Sequence, residues 1–188
     1  MAAYVFFRTQ SVDFIARNHD ATAEEYSHFH RLTLPARLRF GSGKSDMQYL
    51  GDGWHLPESD GVWSSGRDAS VELDLQGPMT GVVLRLGVSL YGSPKSPNNR
   101  LRLSVNGKTV AWLPIAGQES GIDVPIPHDL INRGTLHLQL HVDHCESPLR
   151  ERTGSDPRRL GVMLEWIDIL RLDGNGATDA VSSLEKAK

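Results

Sequence analysis

The chain carries a single cysteine, Cys145, in 188 residues, so no intramolecular disulfide can form and a cysteine-rich zinc site is excluded. Packing must therefore hold the fold. No apolar run approaches the roughly 20 residues of a membrane-spanning helix. Met1 to Phe7 has neither a basic leader before a long apolar block nor a small-residue cleavage site, which makes a cytoplasmic location the default expectation. Basic excess is missing as well: a net charge of -3 and a pI near 6.2 give no footprint for a phosphate backbone, so nucleic acid is not expected as a partner. Beyond Arg31 no helical pattern of about ten residues or more separates the apolar runs, and a parallel αβ sheet requires such connections. No repeat of fixed period is visible. The G-x-S-x-G elbow, H-E-x-x-H, the P-loop and a strand-borne G-x-G-x-x-G are all missing.

What is present is an alternation of period two. Leu34, Ala36, Leu38 and Phe40 alternate with Thr33, Pro35, Arg37 and Arg39, which predicts one strand from Leu32 to Phe40 with a single wet face. Pro35 lacks a backbone donor and places that strand at a sheet edge. Further strands are predicted over Ala69 to Leu75, Gly81 to Tyr91, Arg100 to Val105, Thr109 to Leu113, Ile122 to Ile126, Thr135 to Asp143 and Leu160 to Leu172. Asn106-Gly107 joins two of these runs, and such a pair suits a type I′ turn because both central residues take positive φ. In Thr135 to Asp143 the apolar set Leu136, Leu138, Leu140 and Val142 alternates with His137, Gln139, His141 and Asp143, so a slip of one residue would bury the polar set. HDLINRG reads as a single helical turn stopped by Gly134, and CESPLRERTGSDPRR as a long polar loop. Short strands, turn-rich links and little helix predict an all-β, antiparallel two-sheet sandwich of jelly-roll type.

Ahead of it, TAEEYSHFHRL contains a capping-box pattern, Thr22 with Glu25, and predicts a short helix. The expected organisation is an N-terminal segment 1–31, a sandwich 32–172 and a polar tail 173–188 that frays.

In a helix His28 and His30 point about 200 degrees apart, and on a strand His137 and His141 lie about 13 Å apart, so neither pair suits a shared ion. His144 is badly placed to activate Cys145, because adjacent strand residues face opposite sides. Carboxylate pairs for glycoside hydrolysis could be drawn from Glu58, Asp60, Asp143 or Asp156, but 23 acids offer such pairs by chance. No catalytic residue, metal or cofactor is expected.

The densest cluster of unusual residues is LGDGWHLPESDGVWSSGRDASVELDL, Leu50 to Leu75, whose glycines and Pro57 turn the backbone and hold Trp54 and Trp63 in loops beside a strand. A sugar site stacks rings on an aromatic face and surrounds them with side chains that hydrogen-bond hydroxyls. Trp54, Glu58, Trp63, Arg67, Asp156 and Arg158 supply that inventory and are the candidate ligand-binding residues. The same residues also suit a structural role, with Trp63 closing the end of the core and Glu58 pairing with Arg67 or Arg158 to pin two loops. Trp112 and Trp166, inside strands, read as packing residues.

Two patches carry a resemblance. GDGWHLPESDGVWSSGRDASVELDL follows a G-W-x-x-P-E-x-x-G-x-W-S-x-G pattern with an A-x-L-x-L strand, and GSDPRRLGVMLEWIDI follows a D-P-R-x-L-G lead into a last strand. Together they resemble the β-sandwich accessory domains carried by bacterial glycosyltransferases and phosphoglycerol transferases that build surface polysaccharides. The resemblance implies a non-catalytic, glycan-associated module with Gly53, Trp54, Glu58, Gly61, Trp63, Ser64, Gly66, Asp156, Arg158, Leu160 and Gly161 as motif positions, and a glycan or a glycan-building enzyme as partner. Two other readings stand beside it: a protein-interaction module docking a partner chain, with a possible homo-oligomer, and a hydrolase or esterase on a sandwich scaffold.

Overall fold

The period-two alternation becomes ten strands in the computed structural model, which describes residues 31–77, 81–115, 118–131 and 134–172. These are β1 (Arg31–Thr33), β2 (Ala36–Arg39), β3 (Val62–Trp63), β4 (Asp68–Gln76), β5 (Gly81–Leu90), β6 (Arg100–Val105), β7 (Lys108–Pro114), β8 (Gln118–Pro127), β9 (Thr135–Val142) and β10 (Val162–Arg171). A four-residue helix, α1 (Pro148–Glu151), and 3₁₀ turns at Asp46–Tyr49 and His128–Leu130 complete the described elements. The chain divides into two units, Met1–Arg31 and Leu32–Lys188, and the sandwich is the second. The helix expected at Thr22, the paired histidines His28 and His30, and the tail beyond residue 172 lie outside the described residues.

One sheet has the order β1-β4-β9-β6-β7 and the other β2-β10-β5-β8, with β3 added against β10. Numbering the eight principal strands in chain order, the sheets read 1-8-3-6 and 2-7-4-5, which is the jelly-roll wind the alternation predicted. Between them lies one apolar cluster. Val71, Leu73, Leu101, Leu103, Leu136, Leu138 and Leu140 come from the first sheet, and Leu38, Leu84, Leu86, Val88, Ile126, Leu164 and Ile167 from the second.

The turn chemistry read from the sequence is realised. Asn106 and Gly107 have φ of 49° and 82°, and Val105 faces Lys108 across the hairpin. The Asn106 amide also locks the start of β9, the neighbour of β6 in the sheet. Its nitrogen donates to the carbonyls of Leu130 and Thr135, and its oxygen accepts from His137 N.

Three expectations change. The strand predicted over Leu32 to Phe40 is broken at the cis Leu34–Pro35 bond, so that β1 joins one sheet and β2 the other; both are edge strands, as Pro35 required. The last strand does not keep one parity, because Glu165 forms a bulge between Leu164 and Trp166 opposite β5. Its inward set therefore runs Val162, Leu164, Ile167, Ile169. The long polar loop after Cys145 contains α1, started by Ser147, whose hydroxyl accepts from Arg150 N, and by Pro148 in the first turn.

Candidate functional site

The two motif patches meet in space. Trp54 bridges to Ser64 across a tight excursion, His55 N donates to Trp63 O, and Glu58 N to Gly61 O. Gly53 sits at φ 89°, and a Cβ there would come within 2.3 Å of Asp68 O, so no other residue fits the crossing. Ser64 is fully buried. Its hydroxyl donates to Gly66 O and accepts from Val162 N. A Cβ on Gly161 would lie 2.5 Å from that hydroxyl oxygen.

Charge pins the same junction. Arg158 donates from Nη2 to Glu58 Oε1 at 2.6 Å and to Asp156 Oδ2 at 2.6 Å, realising the Glu58–Arg158 alternative predicted from sequence. Asp156 pairs with Arg158 of its own loop. The Arg158 guanidinium and backbone N–H hold the Asp156 carboxyl below its ordinary range, and Asp156 followed by Glu58 raises Arg158. Arg67 is exposed, and its carbonyl accepts from Val142 N. Trp54 is half-buried against the core, with Nε1 donating to Ser70 O at 2.7 Å. Trp63 is half-buried in β3, opposite Met163.

A second constellation, missed at the level of sequence, lies on the outer face of the first sheet. Register aligns Asp68 with His141 between β4 and β9, His141 with Arg102 between β9 and β6, and Arg102 with Trp112 between β6 and β7. Residues opposite one another in a ladder share a face, so Asp68, His141, Arg102 and Trp112 form one row across four strands, about 14 Å at the usual strand spacing. Trp112 is 48% exposed, a correction to its reading as a packing residue. The guanidinium carbons of Arg100 and Arg102 stand 5.0 and 5.6 Å from its ring centre. Beside the row runs a groove of about 390 Å³, lined by Asp52 and Gly53 from the motif loop and by Ser70, Arg102, Gln139 and His141, among others.

The polar groups of this face are unequally committed. His141 Nδ1 bonds Asp68 at 2.7 Å, His137 bonds Glu72, and Arg100 bonds Asp143 at 2.9 Å. Each histidine is thus tied to its own carboxylate, and no group of three or more metal-ligating side chains occurs among the described residues. Arg102 differs: its Nε is buried without a hydrogen-bond partner among the described residues.

A groove of about 600 Å³ also opens beside the bulge in β10, lined by residues including Arg39, Lys44, Asp60, Glu165 and Trp166. There the Trp166 indole lies over Gly87, where a Cβ would come within 2.2 Å of it, and Ser89 bonds Glu165.

Two groupings of nucleophile and base types, Cys145 beside His144 in the sequence and Ser93 near Glu151 and His144 in the fold, have geometry that opposes catalysis. Burial pushes the Cys145 thiol up, away from the thiolate a nucleophile needs. Ser93 donates its hydroxyl to Glu151 at 2.6 Å, while His144 Nε2 stands 3.5 Å from the same carboxylate. The serine is thus bonded to the acid and not to a histidine base. No helix among the described residues is long and apolar enough to cross a membrane.

No family model and no curated protein matches the chain. Among solved structures it is similar to the CBM36-1 domain of a multidomain xylanase from the hindgut metagenome of Trinervitermes trinervoides, at 14% identity and a TM-score of 0.39, covering 73% of this chain and 98% of that one. It is also similar to a carbohydrate-binding module CBM36 in complex with calcium and xylotriose, at 15% identity and a TM-score of 0.36, covering 71% and 98%. At such values neither likeness bears on what this chain binds.

Proposed function

We propose that the chain is a non-catalytic carbohydrate-binding module whose ligand lies along the outer face of the first sheet. The observation that carries this reading is the row Asp68, His141, Arg102, Trp112, where an exposed indole ends a line of hydrogen-bonding side chains beside a groove of about 390 Å³. A pyranose has an apolar face and a rim of hydroxyls. The indole suits the first, and Gln139, Ser70, Arg102 and the histidines suit the second. A groove of this volume falls within the usual range for small-ligand sites.

In this reading the residues nominated from sequence divide by role. Trp54, Glu58, Asp156 and Arg158 spend polar groups on one another and on the backbone, and Trp63 is half-buried in β3, so they hold the loop that contributes Asp52 and Gly53 to the wall of the groove. Arg67 adjoins Asp68 at the start of the row and stays available to a longer ligand. Service to a glycan-building enzyme of a bacterial surface-polysaccharide system is the finer form of the proposal, and it rests on the two resembling motif patches.

Affinity electrophoresis against a panel of soluble polysaccharides, paired with intrinsic tryptophan fluorescence, tests the reading. Retardation by at least one glycan, weakened in Trp112→Ala while the melting temperature falls by no more than about 4 °C, is expected. Retardation by none of the panel, or retention that survives Trp112→Ala in full, overturns it.

A further inference from the structure

Arg102 differs from the other arginines whose ion pairs are known. Arg37 and Arg85 each fork onto one carboxylate, of Asp168 and Asp123 respectively, Arg158 joins Asp156 and Glu58, and Arg100 bonds Asp143. The carboxylates nearest Arg102 in register are engaged: Asp143 with Arg100, and Asp68 with His141. Arg102 is partly buried, its guanidinium set near the Trp112 ring, with Nε shut off from water and lacking an acceptor among the described residues. One guanidinium N–H shut off from water and left without an acceptor is costly, and a carboxylate held by the other N–H groups of the same guanidinium offsets that cost.

We propose that the groove is selective for acidic glycans, Arg102 receiving the carboxylate of a uronic acid ring stacked at the Trp112 end of the row. This rests on the carbohydrate-binding reading above. A carboxylate presents two oxygens in the plane that the guanidinium fork matches, and it neutralises the charge, whereas a sugar hydroxyl does only part of the first and none of the second. The opposite end of the groove carries the exposed acids Asp52 and Asp68, which repel a second carboxylate. The preferred ligand therefore has acidic and neutral rings in alternation.

The test compares oligosaccharides of alternating glucuronate and neutral sugar with the same oligosaccharides after chemical reduction of the carboxyl group, by titration calorimetry at low salt. The acidic form is expected to bind about tenfold tighter, as a charge-assisted hydrogen bond implies, with the advantage shrinking as salt rises. Arg102→Met keeps an apolar stem beside the indole and is expected to bring the acidic form down to the affinity of the reduced one; Arg102→Lys, which keeps the charge but loses the fork, is expected to fall between. Thermal melting confirms that each variant folds, and the lysine variant serves if the methionine variant does not. Equal binding of the two forms by the wild type overturns acidic selectivity and leaves the glycan reading standing. Binding of neither form, together with none of the polysaccharide panel, overturns both.

Discussion

The motif junction and the outer face of the first sheet hold similar inventories, with tryptophan, arginine, carboxylates and histidine in each, yet they use them differently. At the junction the groups saturate one another: Trp54 Nε1 is bonded to Ser70 O, Arg158 to Glu58 and Asp156, and His55 to Arg159 O. On the sheet face the indole of Trp112 stands 48% exposed and a guanidinium nitrogen lacks a partner among the described residues. Residue types that could bind a sugar are therefore a weak guide by themselves; what separates cement from site is bonding capacity left over once the fold has taken its share.

The sharpest way to break this comparison is to truncate the tryptophan of the junction. Trp54→Ala removes a half-buried indole from the core edge and orphans the Ser70 carbonyl. We expect a loss of about 3 kcal/mol, the low end for aromatic truncation, and a melting temperature lower by roughly 6–12 °C for a domain of this size. Thermal denaturation followed by circular dichroism reads it, and a shift under about 2 °C would mean that Trp54 is free to serve a ligand.

Arg158→Met comes next. It leaves Glu58 and Asp156 facing each other without their common cation, but these side chains are 41% and 28% exposed, and screening holds the cost to about 1 kcal/mol. Urea denaturation resolves a change of that size. An unchanged midpoint would show that backbone bonds alone join the two loops.

Acid should act in the same direction more gradually. Asp156 is held below its ordinary range by Arg158, Asp168 by Arg37, and Glu151 by the hydroxyl of Ser93. A carboxyl depressed in the folded state binds its proton more readily when unfolded, so its stabilisation is fully present above the ordinary carboxylate range near pH 4 and is lost as pH falls through the folded values. Melting temperatures are expected to hold between about pH 5 and 7 and to drop below about pH 4, less steeply in Arg158→Met. A melting temperature that rises on acidification would contradict the assignment.

Legibility in the sequence followed the range of the forces involved. The hairpin at Asn106-Gly107 and the faces of β4 and β9 were readable because backbone sterics and a two-residue period are local. The Glu58–Arg158 pair, 100 residues apart in sequence, could be nominated because the residues are few and complementary. The bulge at Glu165 could not, since the run Val162 to Arg171 contains apolar residues on either parity. The row on the sheet face was hidden for a related reason. Its members stand at positions 68, 141, 102 and 112 and become neighbours only through the register of three strand pairs. In β7, moreover, Val110 and Trp112 compete with Ala111 and Leu113 for the inward face, and the irregularity between Leu103 and Ser104 in the pairing with β6 settles what periodicity left open.

The smallest expected effect on stability belongs to Trp112, and it is the one on which the comparison depends most. Trp112→Ala removes an aromatic ring from an edge strand where nearly half of its surface already meets solvent. What the fold loses is the ring's contact with Arg100 and Arg102, about 0.5–1 kcal/mol for cation–π pairs at exposed sites. The melting temperature should therefore fall by no more than about 4 °C. Binding should respond more strongly, because a stacked ring loses its platform and Arg102 loses the surface that positions it; stacking alone contributes on the order of 1 kcal/mol beyond area burial, about fivefold in affinity. Trp54→Ala should give the opposite pattern, with large destabilisation and, at temperatures where it remains folded, nearly unchanged glycan affinity. Measuring both variants for both properties crosses the two regions. If Trp112→Ala proves the more destabilising of the pair, the row is packing and the division between closed junction and open face is wrong.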